Sequence, residues 1–335
     1  MRAARDFYAR PFKTDAGMLS RVADSLYWMG RYLERAEHTC RLVSVELQLW
    51  LDQSPEVRAG RWRFLLEALR GPAVEGPVDP AQLLNTLALS RTNPSSIVSC
   101  VANARENLRH VREQCSTGMW EHLNRLYLDV IETRPEKDWL LKSHDFFRVV
   151  LESAYLFHGV TDSTMSHGEG WQFIQLGRYV ERANTLTTLL ETHFRRVKNH
   201  SEPAVEDAEY LEWIGLLGGC VAVEAYCKAH TAEIRPLRVA EFLLLNPEFP
   251  HSIRFSVDRV NAALHLIGEL TQRNAKLPTR IAGRLRAQLS FSQIEEIMAE
   301  DVDSYLQSVR RECGDIHSAI HDIYFDYSTE AELAS

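Results

Sequence analysis

Apolar residues recur every three or four positions through most of this chain. From Val22 one stripe runs Leu26, Met29, Leu33, Ala36, Cys40, Val43 and Leu47; another runs Phe173, Leu176, Val180, Ala183, Thr187 and Leu190. This spacing lines up side chains along one side of an α-helix. It predicts long helices over 19–51 and 170–198. Similar patterns predict helices around 62–69, 80–89, 97–113, 121–132, 137–157, 208–229, 236–245, 253–273 and 292–324. Strand signals are nearly missing: Val, Ile and Thr do not alternate with polar residues, and no Asn-Gly or Asp-Gly hairpin occurs. Breaks are expected at Ser54-Pro55, Gly71-Pro72, Gly76-Pro77, Arg134-Pro135, Ser166-His167-Gly168, Glu202-Pro203 and Leu277-Pro278. The longest loop-like stretch is 71–79.

One pattern occurs twice. Gly30-Arg31-Tyr32-Leu33-Glu34-Arg35-Ala36 returns 147 residues later as Gly177-Arg178-Tyr179-Val180-Glu181-Arg182-Ala183. A second pair follows in the same order: Asn93-Pro94-Ser95-Ser96-Ile97 resembles Asn246-Pro247-Glu248-Phe249-Pro250-His251-Ser252-Ile253, with Ser96 and Ser252 spaced by 156 residues. Each Asn-Pro marks a helix boundary, and Ser96 and Ser252 are suited to cap the helices that start after them. A repeat of this length is a usual domain size. The expected fold is all-α, a helical bundle built from two pseudo-symmetric repeats at 18–158 and 159–327. An N-terminal extension (1–17) and a frayed, disordered tail (328–335) flank them.

Length and composition suit a globular protein: 335 residues, 45% hydrophobic, net charge −8. An acidic balance argues against a general nucleic-acid binder, which needs a basic face. The longest apolar stretch, 213–223, is about half of what spans a bilayer, so no membrane segment is expected. Cys40, Cys100, Cys115, Cys220, Cys227 and Cys313 are widely scattered, with no CxxC pair and no apolar leader at Met1–Asp6. That usage points to a reduced, cytoplasmic protein.

The repeated motif carries the most chemistry. On a helix, Arg31, Glu34, Arg35 and His38 share one face, away from the Leu26/Met29/Leu33 stripe. Arg178, Glu181, Arg182 and Thr185 repeat the arrangement. Two guanidiniums beside a carboxylate suit a bound carboxylate or phosphate, with the Glu orienting an Arg. The same group is also suited to fix helix packing as a buried ion network, or to be a solvated face. All three readings are open at this level. As an enzyme, Glu34 or Glu181 would be the general base and the adjacent Arg would stabilise an oxyanion.

Other clusters are less specific. Arg105, Arg109 and Arg112 share a helix face followed by Trp120 and Asn124, which suits either an exposed helix or an anionic pocket; the second half does not keep this cluster. His167 and Glu169, between glycines ahead of the second motif helix, are catalytic candidates or a plain turn. His317 and His321 are four apart, but no HExxH or nearby third ligand accompanies them, so no metal is expected. No GxxxxGK[ST], GxGxxG or GxSxG is present, and no cofactor is expected.

The segments RVADSLYWMGRYLERAE, GWQFIQLGRYVERA, NPSSIVSCVANARENLRHVRE, MWEHLN and FLLLNPEFPHSIRF resemble the bacterial alpha-E family over about 18–327. That family is a predicted all-helical domain named for its Glu-Arg motif and often duplicated in tandem. The resemblance implies association with circularly permuted ATP-grasp carboxylate–amine ligases, and with transglutaminase-like proteins or a peptidase, in peptide synthesis or modification. The expected role is an accessory protein that binds the ligase, its peptide or a carboxylate intermediate. Arg31, Arg35, Arg178 and Arg182 would contact the anion, with Arg105, Arg109 and Arg112 adding to a pocket. The alternatives are an enzyme of the same pathway and a purely structural scaffold or dimerisation module.

Overall fold

The computed structural model describes residues 18, 20–50, 55–71, 79–134, 139–199, 206–230, 233–271 and 276–325. The expected N-terminal extension, the Gly76-Pro77 and Glu202-Pro203 breaks and the expected tail lie outside the described residues. Within them the chain is all-α and forms a helical bundle, with no strand. The first half gives α1 (Ser20–Trp50), α2 (Pro55–Ala68), α3 (Pro80–Ala88), α4 (Ile97–His110), α5 (Thr117–Glu132) and α6 (Trp139–Thr164). The second gives α7 (Glu169–Asn199), α8 (Glu206–Gly219), α9 (Val223–His230), α10 (Pro236–Leu245), α11 (Ile253–Thr271), α12 (Lys276–Phe291), α13 (Ile294–Ala299) and α14 (Val302–Ile320). A π turn, His321–Phe325, closes the last helix.

Helix starts follow from local chemistry. Ser96 Oγ accepts the Ser99 N–H at 3.1 Å, and Ser252 Oγ accepts the Phe255 N–H at 3.0 Å. Both expected caps therefore satisfy N–H groups that the first helical turn leaves without acceptors. Pro80 and Pro236 open α3 and α10, where a missing N–H costs nothing.

Three expectations need correction. The helix predicted over 208–229 is two helices, α8 and α9. Val221 turns the chain in the left-handed region (φ 52), with Ala222 N–H bonded to Leu217 C=O and Val221 N–H to Gly218 C=O. That is the geometry of a Schellman cap. The break predicted at Leu277-Pro278 is instead the start of α12: Pro278 lies in the first turn, where no intrahelical hydrogen bond is lost. The helix predicted over 292–324 divides at Glu300–Asp301, and Asp301 caps α14.

The two motif helices, α1 and α7, each 31 residues long, form the centre. They run parallel. Met18 meets Glu169, Gly30 meets Ile174, and Glu34 meets Arg182. α4 and α6 pack on α1, while α11 and α14 pack on α7. α2 and α8 cross over: α2 lies on α7 as well as α1, and α8 lies on α1. The π turn seals the N-terminal end, with Phe325 against Tyr27 (5.2 Å between rings) and Tyr324 against Phe173 (5.3 Å). Among the described residues, no helix is long and apolar enough to cross a membrane.

Two glycines allow the central pair to touch. A Cβ on Gly30 would sit 2.5 Å from the Ile174 carbonyl oxygen, and one on Gly177 would press still closer on the Tyr27 carbonyl oxygen. Both obstacles are backbone, which cannot swing aside. The motif therefore begins with Gly because the helices meet main chain to main chain there. This close approach brings the charged side chains one turn further on within reach of the opposite helix.

Candidate functional site

Every residue from Ala36 to Val43 is buried, and so is every residue from Leu186 to Phe194. α1 and α7 thus have no solvated face over these turns. Glu34 (0% exposed), Glu181 (1%) and Arg182 (1%) lie in the core. The solvated-face reading of the motif is excluded.

The charges pair crosswise. Glu34 does not bind its neighbour Arg35. It accepts a fork of two hydrogen bonds from Arg182, Nε and Nη2 each at 2.7 Å, with Arg178 Nε at 3.5 Å. Glu181 accepts from Arg31 Nε at 2.7 Å and Arg35 Nε at 2.6 Å. Each carboxylate of one motif thus holds the two guanidiniums of the other. The motif aromatics cover the network: Arg31 lies over Trp28 (4.8 Å), Arg35 over Tyr32 (5.7 Å) and Arg182 over Tyr179 (5.3 Å).

These pairings decide the protonation states. Burial alone would raise both carboxyls. Burial is the largest single influence, but the charges and hydrogen bonds of Arg182, with Arg178, on Glu34 and of Arg31 and Arg35 on Glu181 together outweigh it, so both are held down at about 2. A carboxylate in this state is a poor proton acceptor at neutral pH.

Further charged residues join the cluster. Glu37 binds Arg41 one turn along α1 and accepts from His158 of α6 at 3.2 Å. Burial and the Arg178 charge keep His158 below its usual value, so its Nε2–H donates as a neutral ring. Glu34, Glu37 and His158 offer ligand atoms within 4.8 Å of one another. Arg182 and Arg41 already neutralise the two carboxylates, so a cation would have to displace both. His251, buried beside Arg182 and Arg41, is held well below its ordinary value, first by burial and then by those charges. The Pro250 carbonyl accepts from Arg182 Nη1 at 3.1 Å.

The Glu181 side is built from smaller residues. The 147-residue offset that relates the motifs sets Asn184 against Glu37 and Thr188 against Arg41; the 156-residue offset sets Ser95 against His251. A cavity of about 200 Å³ lies here, lined by Arg35, Arg70, Ser95, Glu181, Asn184 and Thr188 among others. Arg35 is 24% exposed, against 2% for Arg182. Arg70 reaches in from the end of α2 and donates to Thr188 Oγ1 at 2.7 Å. Its backbone is in the left-handed region (φ 50), inside a Schellman cap closed by Gly71 N–H to Leu66 C=O.

The remaining candidates fall elsewhere. Arg105 donates to Asn124 at 3.0 Å and stacks on Tyr127 and Trp120, and Arg112 also covers Trp120. Arg109 pairs with Glu106 on the surface. This group lies along α5 instead of converging on one anion. His167 is exposed, stacks on Trp171 (4.2 Å) and bonds the Asp162 carbonyl. Glu169 accepts the Met18 N–H at 3.1 Å, which ties the starts of α7 and α1 together. The structure therefore places His167 in the turn between α6 and α7 and Glu169 at the first residue of α7. His317 bonds the Tyr27 hydroxyl at 2.9 Å. Glu37, Arg41, His158 and Arg70 were not expected from the sequence. The first two continue the Glu34 face at i+3 and i+7, a signal that periodicity offered.

The geometry agrees with what comparison finds. A model of the family described as a predicted alpha-helical domain with a conserved ER motif matches residues 18–325. The chain belongs to the Alpha-E family. Its two Glu-Arg dipeptides are Glu34-Arg35 and Glu181-Arg182, and in this Alpha-E chain the residues of each dipeptide bind across the helix pair, not to each other. Proteins named only as uncharacterised, from Mycobacterium bovis and two strains of Mycobacterium tuberculosis, are each 26% identical to it, with 97% of the chain aligned. The chain spans about two fifths (39%) of the length of these relatives. No solved structure matches it.

Proposed function

We propose that this Alpha-E chain is a non-catalytic partner of a carboxylate–amine ligase of the ATP-grasp class in a peptide-synthesis or peptide-modification system, and that its two halves are copies of one unit welded by the Glu–Arg crossing. The observation that carries the non-catalytic reading is the complete commitment of both motif carboxylates. Glu34 and Glu181 are buried, ionised and each held by guanidiniums of the opposite motif. A general base needs a proton affinity near the working pH, and the guanidiniums hold both Glu far below it, at about 2. The motif acts as a rigid frame, and its chemistry is binding. The choice of an ATP-grasp partner follows from the family resemblance of the sequence.

The experiment is co-purification of the chain with an ATP-grasp ligase encoded beside it, followed by ligase turnover with and without the chain. A stoichiometric complex and faster turnover are expected. Turnover that is indifferent to the chain, with no complex at micromolar concentrations, refutes the partnership. If the chain alone converts the ligase's substrates or products, the non-catalytic reading is wrong.

A further inference from the structure

The geometry assigns a ligand to the cavity between α1, α2 and α7: a single carboxylate, held by Arg35 and Arg70. The assignment rests on the non-catalytic reading of Glu181, whose role here is to hold Arg35 in place.

Three observations converge on it. The first is charge. On the Glu34 side the three guanidiniums of Arg178, Arg182 and Arg41 meet two carboxylates, Glu34 and Glu37. On the Glu181 side Arg31 and Arg35 bind Glu181, and Arg70 stands nearby with Glu181 and Glu191 as its opposing charges, Glu191 being already shared by Arg195 and Arg310. The Glu37–Arg41 pair has no counterpart here, since Asn184 and Thr188 stand in its place, and Arg70 brings a guanidinium that, among the described residues, no carboxylate pairs. Arg70 is exposed and, among the described residues, forms no ion pair; partial burial, and then the Arg310 charge, pull its pKa down. A bound carboxylate would reverse that.

The second observation is space and donors. Ser95, Asn184 and Thr188 stand where the other side has His251, Glu37 and Arg41, and the cavity of about 200 Å³ lies among them. Among the described residues, Arg35 makes hydrogen bonds only through Nε, to Glu181. Its terminal nitrogens therefore remain for a ligand, on a guanidinium already oriented by a buried partner. Asn184 Oδ1 accepts weakly from Arg70 at 3.4 Å, which turns the amide N–H donors elsewhere. Arg is suited to planar, two-point recognition of a carboxylate.

The third observation is strain. Arg70 occupies a left-handed backbone position where Gly is the usual residue. A residue held there against its own preference points to a side-chain role. The guanidinium is what that position delivers to the cavity.

The carboxylate can belong to a peptide C-terminus or to an acidic side chain, and the test separates these sources. The isolated protein, labelled with 15N at arginine, is titrated with N-acetyl-glycyl-glycine, with the same peptide amidated at its C-terminus, with N-acetyl-glutamate α-amide, which carries only the side-chain carboxylate, and with inorganic phosphate. The Nε resonances of Arg35 and Arg70 are expected to shift with a carboxylate probe and to stay still with the amidated peptide. Arg70→Gly, which removes the side chain and relieves the backbone, is expected to weaken carboxylate binding at least tenfold while leaving the fold intact. Asn184→Glu, which installs the charge found opposite, is expected to abolish binding and raise the melting temperature. Carboxylate binding unchanged in both variants overturns the assignment, as does phosphate binding tighter than every carboxylate. Because no ligase is present, failure here is distinct from failure of the partnership.

Discussion

The Glu34 and Glu181 sides of the central helix pair grow from the same seven-residue motif and finish differently. Around Glu34 the larger residues Glu37, Arg41, His158 and His251 complete the charge balance internally. Around Glu181 smaller residues leave a cavity and a surplus guanidinium. The difference shows how a symmetric structural network acquires a binding site. On one side Glu37 and Arg41 fill the space as an ion pair, and on the other Asn184 and Thr188 supply neither the pair nor its bulk.

The largest effect is expected from the enclosed side. Glu34→Gln leaves Arg182 buried without a counter-charge and should cost about 4 kcal/mol of unfolding free energy. Glu181→Gln should cost less, roughly 3 kcal/mol, because Arg35 can turn to the cavity and water while Arg31 stays buried without its partner. Urea denaturation of the two variants checks this, and equal losses would break the comparison. Next comes the helix contact. Gly177→Ala should cost about 3 kcal/mol through backbone overpacking, more than Gly30→Ala, since its Cβ meets the closer obstacle.

The third expectation is in pH. His38 and His193 are kept neutral by burial, down to about 3, and His251 is lowered as well, facing Arg182, Arg41, Arg178 and Glu34. Once unfolded, these rings take up protons near their ordinary value of 6.5. The unfolded state therefore binds more protons below that value, and stability is full above it and falls as pH drops. Each ring contributes up to about 1.4 kcal/mol per pH unit. Glu34 and Glu181 add a second loss as pH falls from 4.5 towards about 2. His251→Ser, which copies Ser95, should flatten the first slope; an unchanged slope from pH 6.5 to 5 counts against the role given to His251. The smallest effect is at the two left-handed residues. Val221→Gly should gain about 1 kcal/mol by relieving backbone strain, read as a small rise in melting temperature, and it should leave anion binding alone.

Much of this was legible in the sequence for identifiable reasons. The apolar stripes of α1 and α7 and the proline-flanked starts of α3, α4, α10 and α11 are local signals, and local signals place helices well. The breaks at 220–222 and 300–301 were not legible, because apolar spacing runs straight through both. At Val221 the turn is imposed by tertiary packing on a residue that does not favour it. The motif's pairing was hidden for another reason. Helix spacing shows which side chains share a face, so Glu34 and Arg35 read as a local unit. Only the close approach of the helices, Gly30 to Ile174 and Gly177 to Tyr27, reveals that each belongs to a partner 147 or so residues away. Arg70 carries no signal of its own, since its place depends on where α2 comes to rest.

The exchanged positions of α2 and α8 carry a consequence for how the chain assembles. Each short helix also reaches the other half's long helix, α2 covering α7 as well as α1 and α8 covering α1, so neither half encloses its core before its counterpart arrives. A fragment ending at 158 would keep Glu34 but lack Arg182, and would expose the apolar ground that α8 covers. The halves must therefore mature together, and two separately expressed fragments should each be unfolded yet regain helical order on mixing.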